Sequence, residues 1–244
     1  MNDAEFQIYE GFEDDQWWFV GKRRLVRALL SDAPRGRLLD LGCGMGGVLR
    51  DFEAAARCFG ADRSRYALRV CRAKGADALA LADLLAPPFR SDSFDHVLAL
   101  DVIEHLPDDV AFLRRAGELL APDGRLVVAA PAFPLLWSQH DVTFQHFRRY
   151  TAATLRAAVV AAGLVPERTT YLHALVFPIA AVWRVASRRL GLGRFAPKTD
   201  FWPLPAWLNA VLASLYRAEA WWVARGDLPF GVSVACIARR PEAA

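Results

Sequence analysis

Two of the five histidines in this 244-residue chain fall within one polar stretch. It reads Trp137-Ser138-Gln139-His140-Asp141-Val142-Thr143-Phe144-Gln145-His146-Phe147-Arg148-Arg149-Tyr150-Thr151. An imidazole titrates near neutrality, with an unperturbed pKa of about 6.5, which makes His140 the first candidate for a general base. Asp141 and His146 are candidates to orient it or to orient a bound molecule. Arg149 and Tyr150 offer donors for a substrate carboxylate, phosphate or hydroxyl, and Trp137 offers an aromatic face beside them. The stretch has no clear apolar period and reads as a site loop, and Thr151 caps the alanine-rich helix after it. In the competing interpretation these polar groups only satisfy one another.

A second set of residues suits a different task. Leu38-Leu39-Asp40-Leu41-Gly42-Cys43-Gly44-Met45-Gly46-Gly47 reads as a buried strand, a glycine turn and a helix opening near Val48. Glycine permits positive φ and close approach of a ligand to the backbone. A helix start adds unpaired N–H groups. A nucleotide-like ligand suits such a turn. The spacing departs from the dinucleotide pattern Gly-x-Gly-x-x-Gly, because the third glycine comes one residue early and an acid stands two residues before the first. Asp62 closes an apparent second strand, 22 residues past Asp40, where a carboxylate can accept both hydroxyls of a ribose. Arg63 follows it.

These residues need a scaffold, and the chain reads as alternating strands and helices from Leu38 to Pro131. Asp83 and Leu84 end a third short strand. Ser93 to Leu106 reads as a fourth strand with its exit turn, Asp101-Val102-Ile103-Glu104-His105-Leu106. Gly124 to Pro131 is a fifth. Helices are expected near 45–57, 64–75 and 108–121. Such alternation predicts a parallel sheet covered on both faces, with ligands at the carboxyl ends of the strands near the switch in strand order. Asp40, Asp62, Asp83 and Asp101 all fall at those ends.

Asp40-x-Gly42-x-Gly44-x-Gly46, followed by acids ending strands two, three and four and by Glu104-His105-Leu106, resembles the class I S-adenosylmethionine (SAM) methyltransferases. The last segment looks like that family's motif IV. The resemblance implies an α/β, Rossmann-like fold. Its seven-stranded, mostly parallel sheet has the order 3-2-1-4-5-7-6, with strand seven antiparallel and helices on both faces. It implies SAM as cofactor, S-adenosylhomocysteine as product and no metal. It assigns the cofactor to Asp40, Gly42, Cys43, Gly44, Gly46, Asp62, Arg63, Asp83, Leu84, Asp101, Val102 and His105. The His-Asp-x-x-x-x-His-x-Arg-Arg-Tyr run is similar to a bacterial subgroup near the type 11 and type 12 families.

The chain reads as one domain, 1–244, built as an N-terminal helical lid (1–33), a SAM-binding core (34–171), a hydrophobic helical insertion (172–228) and a last strand (229–240). In the lid, Trp17 and Trp18 would attract a sulfonium, and Arg23 would clamp a carboxylate. Plain packing on the sheet is the alternative. The insertion carries two apolar stretches, Ala174–Trp183 and Leu204–Tyr216, joined by a linker rich in Gly, Pro and Phe. Neither stretch reaches the roughly 20 apolar residues of a bilayer span. A pocket cap, a dimer interface and peripheral membrane contact through 172–224 are the three readings.

A net charge of +3 argues against nucleic acid as substrate, as does the lack of an Asn/Asp-Pro-Pro-Tyr/Phe motif after strand four. The four cysteines, Cys43, Cys58, Cys71 and Cys236, form no Cys-x-x-Cys pair and read as small buried residues of a reducing cytoplasm. The N-terminus has no apolar signal region. The expected protein is a cytoplasmic enzyme, with membrane association as the alternative, that methylates a hydroxyl of a small-molecule or lipid-linked acceptor in natural-product or glycolipid synthesis. N-methylation of a small amine, or a non-catalytic SAM-binding subunit, are the alternatives.

Overall fold

The computed structural model describes residues 6–7, 10–30, 34–189 and 204–242. The insertion's Gly/Pro/Phe-rich linker and the chain's first five residues lie outside them. A helix, α1 (Trp17–Leu29), precedes the sheet. Then come β1 (Arg37–Leu41), α2 (Gly47–Phe52), β2 (Arg57–Asp62), α3 (Arg65–Ala73), β3 (Leu79–Leu81) and β4 (Phe94–Leu100). A 3-10 turn (Ile103–His105) leads to α4 (Asp109–Glu118) and β5 (Leu120–Pro131). After β5 come a second 3-10 turn (Pro134–Leu136), α5 (Gln139–Thr143), α6 (Ala152–Ala161) and β6 (Val165–Leu172). Two long helices, α7 (Phe177–Arg189) and α8 (Ala206–Val223), separate β6 from β7 (Ser233–Arg239).

The sheet order is β3-β2-β1-β4-β5-β7-β6. The pairings from β3 to β5 are parallel, and β7 runs antiparallel to both β5 and β6. This is the expected topology. Successive strand residues point to opposite faces, and the sequence supplies apolar residues at both. Leu39, Leu41, Val97, Ala99, Leu126 and Val128 join Phe112 of α4 and Leu155 of α6 in one core. Their chain neighbours Leu38, Leu98, Leu100, Val127 and Ala129 join α1, α2 and α8 in the other. Continuous apolar strands covered on both faces are what a parallel sheet requires.

Helix α1 packs on α8. Trp17 stacks on Tyr216 with ring centroids 5.9 Å apart, and its backbone N–H donates to Asn209 Oδ1 at 2.8 Å. Buried Glu219 of α8 accepts the N–H groups of Ala174 and Leu175, anchoring the chain just before α7. His173, near the start of the insertion, is buried there. It pairs with Tyr216 Oη and stacks on Trp18 at 4.0 Å. Among the described residues no helix is long and apolar enough to cross a membrane.

One expectation is corrected. The stretch after β5 is not a plain loop, because Gln139–Thr143 is helical. Ser138 and Asp141 form a capping box at its start, and the Asp141 side chain turns back onto the Ser138 N–H.

Candidate active site

A cavity of about 810 Å³ opens at the carboxyl ends of β1, β2 and β4. That volume suits a cofactor with a small acceptor. The glycine turn forms one wall. Gly42, Gly44 and Gly46 have φ of 84°, 53° and 85°, a region costly for other residues. A side chain at Gly42 would also strike Val102. Gly42 and Gly44 line the cavity with Cys43, whereas Gly46 serves as the left-handed N-cap of α2 and does not.

Asp62 is held in place by the turn it faces. Its Oδ2 accepts from the Gly44 N–H at 3.0 Å and its Oδ1 from the Ser64 N–H at 2.8 Å. Burial raises its pKa, and those backbone donors oppose the rise. Asp40 is 2% exposed, and burial pushes its pKa to about 7 despite the nearby Lys22. Asp62, Arg63, Leu84, Asp101, Val102 and His105 all line the cavity. Asp83 does not. Its carboxylate accepts the Leu85 N–H, closing its own exposed turn.

The N-terminal arm contributes differently from expectation. Trp17, Trp18 and Arg23 line the cavity. However, the Arg23 guanidinium donates to the carbonyls of Glu13 and Asp14 at 2.6 and 3.0 Å, so it ties down the arm itself. The base that reaches the strand ends is Lys22, whose Nζ lies 2.6 Å from Asp101 Oδ2. Sequence reasoning missed Lys22. The signal was its four-residue spacing from Trp18, which puts both on one face of a helix.

The histidine stretch divides into two groups. His140, His146 and Arg149 line the cavity. Asp141 is fully buried, and Trp137 and Tyr150 stay outside the lining. Asp141 takes Arg149 Nε and Nη2 at 2.7 and 3.0 Å and His146 Nδ1 at 2.9 Å, with Arg184 of α7 at 3.8 Å. Burial alone would raise its pKa, but the hydrogen bonds from His146 and Arg149 hold it below the usual carboxylate range. Asp141 therefore organises the wall and cannot meet a substrate. Tyr150 Oη donates to Asp109 at 2.6 Å inside the core, and burial, then Asp109, pushes its phenol up.

Glu104 is a further lining residue outside the expected site set. It is 1% exposed, and neither of its carboxylate oxygens has a hydrogen-bond partner. Burial, and then the Asp101 charge, raises its pKa well above the ordinary value. His105 beside it is pushed down to about 3, by burial first and then by His146. The insertion supplies the apolar wall through Val176, Ile179, Ala180 and Trp183 of the α7 region and Leu212 of α8.

Residues 39–128, from β1 into β5, match the family described as methyltransferase domain. Over 173 residues the chain is 30% identical to a ubiquinone biosynthesis O-methyltransferase of Azorhizobium caulinodans, covering 62% of this chain and 66% of that one. Over 163 residues it is 31% identical to the nocamycin O-methyltransferase of Saccharothrix syringae, covering 62% and 54%. These matches support a class I SAM-dependent methyltransferase. The chain spans less than two thirds of the length of either relative. Phosphoethanolamine N-methyltransferase 2 of Haemonchus contortus, solved with SAM, shares its fold. The TM-score is 0.64 at 18% identity, over 99% of this chain and 58% of that one.

Proposed function

We propose that this methyltransferase moves the methyl group of SAM to a hydroxyl of a small, apolar or lipid-like acceptor. One observation carries the reading: a single cavity is lined by the glycine turn and Asp62, by His140, and by the apolar residues of α7. In this reading Asp62 accepts the ribose hydroxyls and the Gly42–Gly44 backbone faces the methionine part. Residues 1–33 act as a lid, 34–171 as the cofactor core, 172–228 as a cap over the acceptor and 229–240 as the closing strand. The names of both O-methyltransferase relatives support an oxygen acceptor.

Methyl transfer is an in-line displacement, so the protein must align oxygen, methyl carbon and sulfur. The acceptor hydroxyl gives its proton to His140. The oxygen lone pair forms the O–CH3 bond, and the C–S pair leaves with sulfur. Ile179 and Trp183 line the cavity and are also 75% and 56% exposed. They mark where an apolar acceptor enters.

The test is calorimetry with S-adenosylhomocysteine on wild type and Asp62→Ala, followed by transfer of labelled methyl from SAM to a panel of phenols, lipid-linked alcohols and amines. Binding weakened by the substitution, with methylated hydroxyls, is the expected result. Products from amines alone would overturn the oxygen assignment. Binding without turnover on any acceptor would favour a non-catalytic subunit.

A further inference from the structure

We propose that Glu104, His105 and His146 form a binding site for one divalent transition-metal cation in the wall of the cavity. One ligating atom from each residue lies within 4.8 Å of the others, and all three residues line the cavity. Bonds of about 2.1 Å to one ion need such atoms roughly 3–4 Å apart, which small side-chain rotations provide. The two parts of the chain meet through the backbone, because the Phe147 N–H donates to the Glu104 carbonyl at 2.7 Å. That bond fixes the residue after His146 against the turn that carries Glu104 and His105.

Two independent features point to a cation. The first is Glu104, a buried carboxylate with both oxygens unpartnered. A buried charge without a partner is costly, and such an orphan calls for an unseen ion or a proton. Lys22, the cation that could have paired with it, is engaged by Asp101. The second is the arrangement behind the histidines. His146 gives Nδ1 to Asp141, a carboxylate immobilised by two bonds from Arg149. In that tautomer Nε2 carries the lone pair. His105 likewise bonds the Phe144 backbone. A carboxylate or carbonyl behind each imidazole is the usual support of a metal-bound histidine.

One carboxylate and two imidazoles suit Zn2+, Fe2+ or Mn2+ and leave coordination positions open. The role of the ion toward the acceptor rests on the proposed methyl transfer, whereas its binding does not. An acceptor oxygen in an open position would lose its proton to His140 more readily. The same O–CH3 bond then forms as the C–S pair leaves with sulfur.

The test uses the purified full chain, stripped with a chelator and titrated with Zn2+ by calorimetry. One ion per chain is expected, and Glu104→Gln, His105→Ala and His146→Ala should each weaken binding about ten-fold or more. Co2+ in place of Zn2+ should give a visible spectrum that changes in the histidine variants. Melting curves separate loss of a ligand from loss of the fold, and Glu104→Gln is the near-isosteric case. No saturable binding, or binding unchanged in all three variants, overturns the site. S-adenosylhomocysteine titrated into the same preparation reports separately. Its failure to bind would sink the methyltransferase reading and leave the cation site standing.

Discussion

Lys22 Nζ and Asp101 Oδ2 lie 2.6 Å apart, so a residue of the N-terminal helix is tied to the first residue after β4. Asp101 sits at φ 55°, a conformation uncommon outside glycine. Burial would raise its pKa, and Lys22 reverses that and lowers it. The pair closes α1 over the strand ends that face the cavity. Lys22→Met should weaken S-adenosylhomocysteine binding several-fold in calorimetry. Because both side chains are partly exposed, the stability change should stay within about 1 kcal/mol. A large drop in Tm with unchanged binding would make the pair a folding contact only.

Asp141 should matter to stability more than any other residue of the histidine stretch. It is fully buried, and Arg149, itself 7% exposed, gives it two bonds. Removing one partner of a buried ion pair leaves the other charge uncompensated, at a cost of about 3–5 kcal/mol. Asp141→Asn is therefore expected to lower the denaturant midpoint by an amount of that order. An Asp141→Asn, Arg149→Met double variant should recover part of the loss. Equal stability of wild type and Asp141→Asn would contradict the hub.

A pH-dependent stability follows from Asp40. Its folded-state pKa, about 7, lies above its ordinary 3.8, so the folded protein holds a proton that the unfolded chain gives up. The contribution is complete below about pH 4, declines as pH rises and is lost above about pH 7. That shift corresponds to ~4 kcal/mol at most. Asp62 and Glu219 are also raised and add slopes of the same sign. The quantity to measure is therefore the difference between wild type and Asp40→Asn in urea melts from pH 4 to 8. A difference that does not vary with pH would show that Asp40 is solvated.

The sheet and the glycine-turn wall of the cavity were legible in the sequence, because both are written in local patterns. Buried strands ending in an acid, with glycines after the first, specify order and ligand face together. The opposite wall was not, because its residues are chosen by helix phase and by what neighbours them in space. Lys22, Arg23 and Arg24 are equivalent in sequence. In the fold one reaches Asp101, one the carbonyls of its own arm and one the Ala213 carbonyl of α8. Asp141, between two histidines and an arginine, reads as catalytic, although Ser138-x-x-Asp141 already carried the capping-box pattern that turns its carboxylate inward. Glu104 was visible only as part of a turn, since nothing local reveals that its carboxylate lacks a partner.

His140 offers the sharpest test of the proposed chemistry. It lines the cavity from α5, beside Phe144, with ring centroids 4.4 Å apart, and near His146 at 5.9 Å. Loss of a general base lowers turnover by about 10²–10⁴-fold, so His140→Ala should reduce kcat by that much and leave S-adenosylhomocysteine affinity unchanged. The kcat of the wild type should rise with pH as the base loses its proton, and that ascending limb should vanish in the variant. His140→Gln keeps the size and hydrogen bonding of the side chain without titrating. It should stay as slow as His140→Ala if the proton is what matters. Recovery of rate in His140→Gln would make His140 a positioning residue and move the base elsewhere in the cavity.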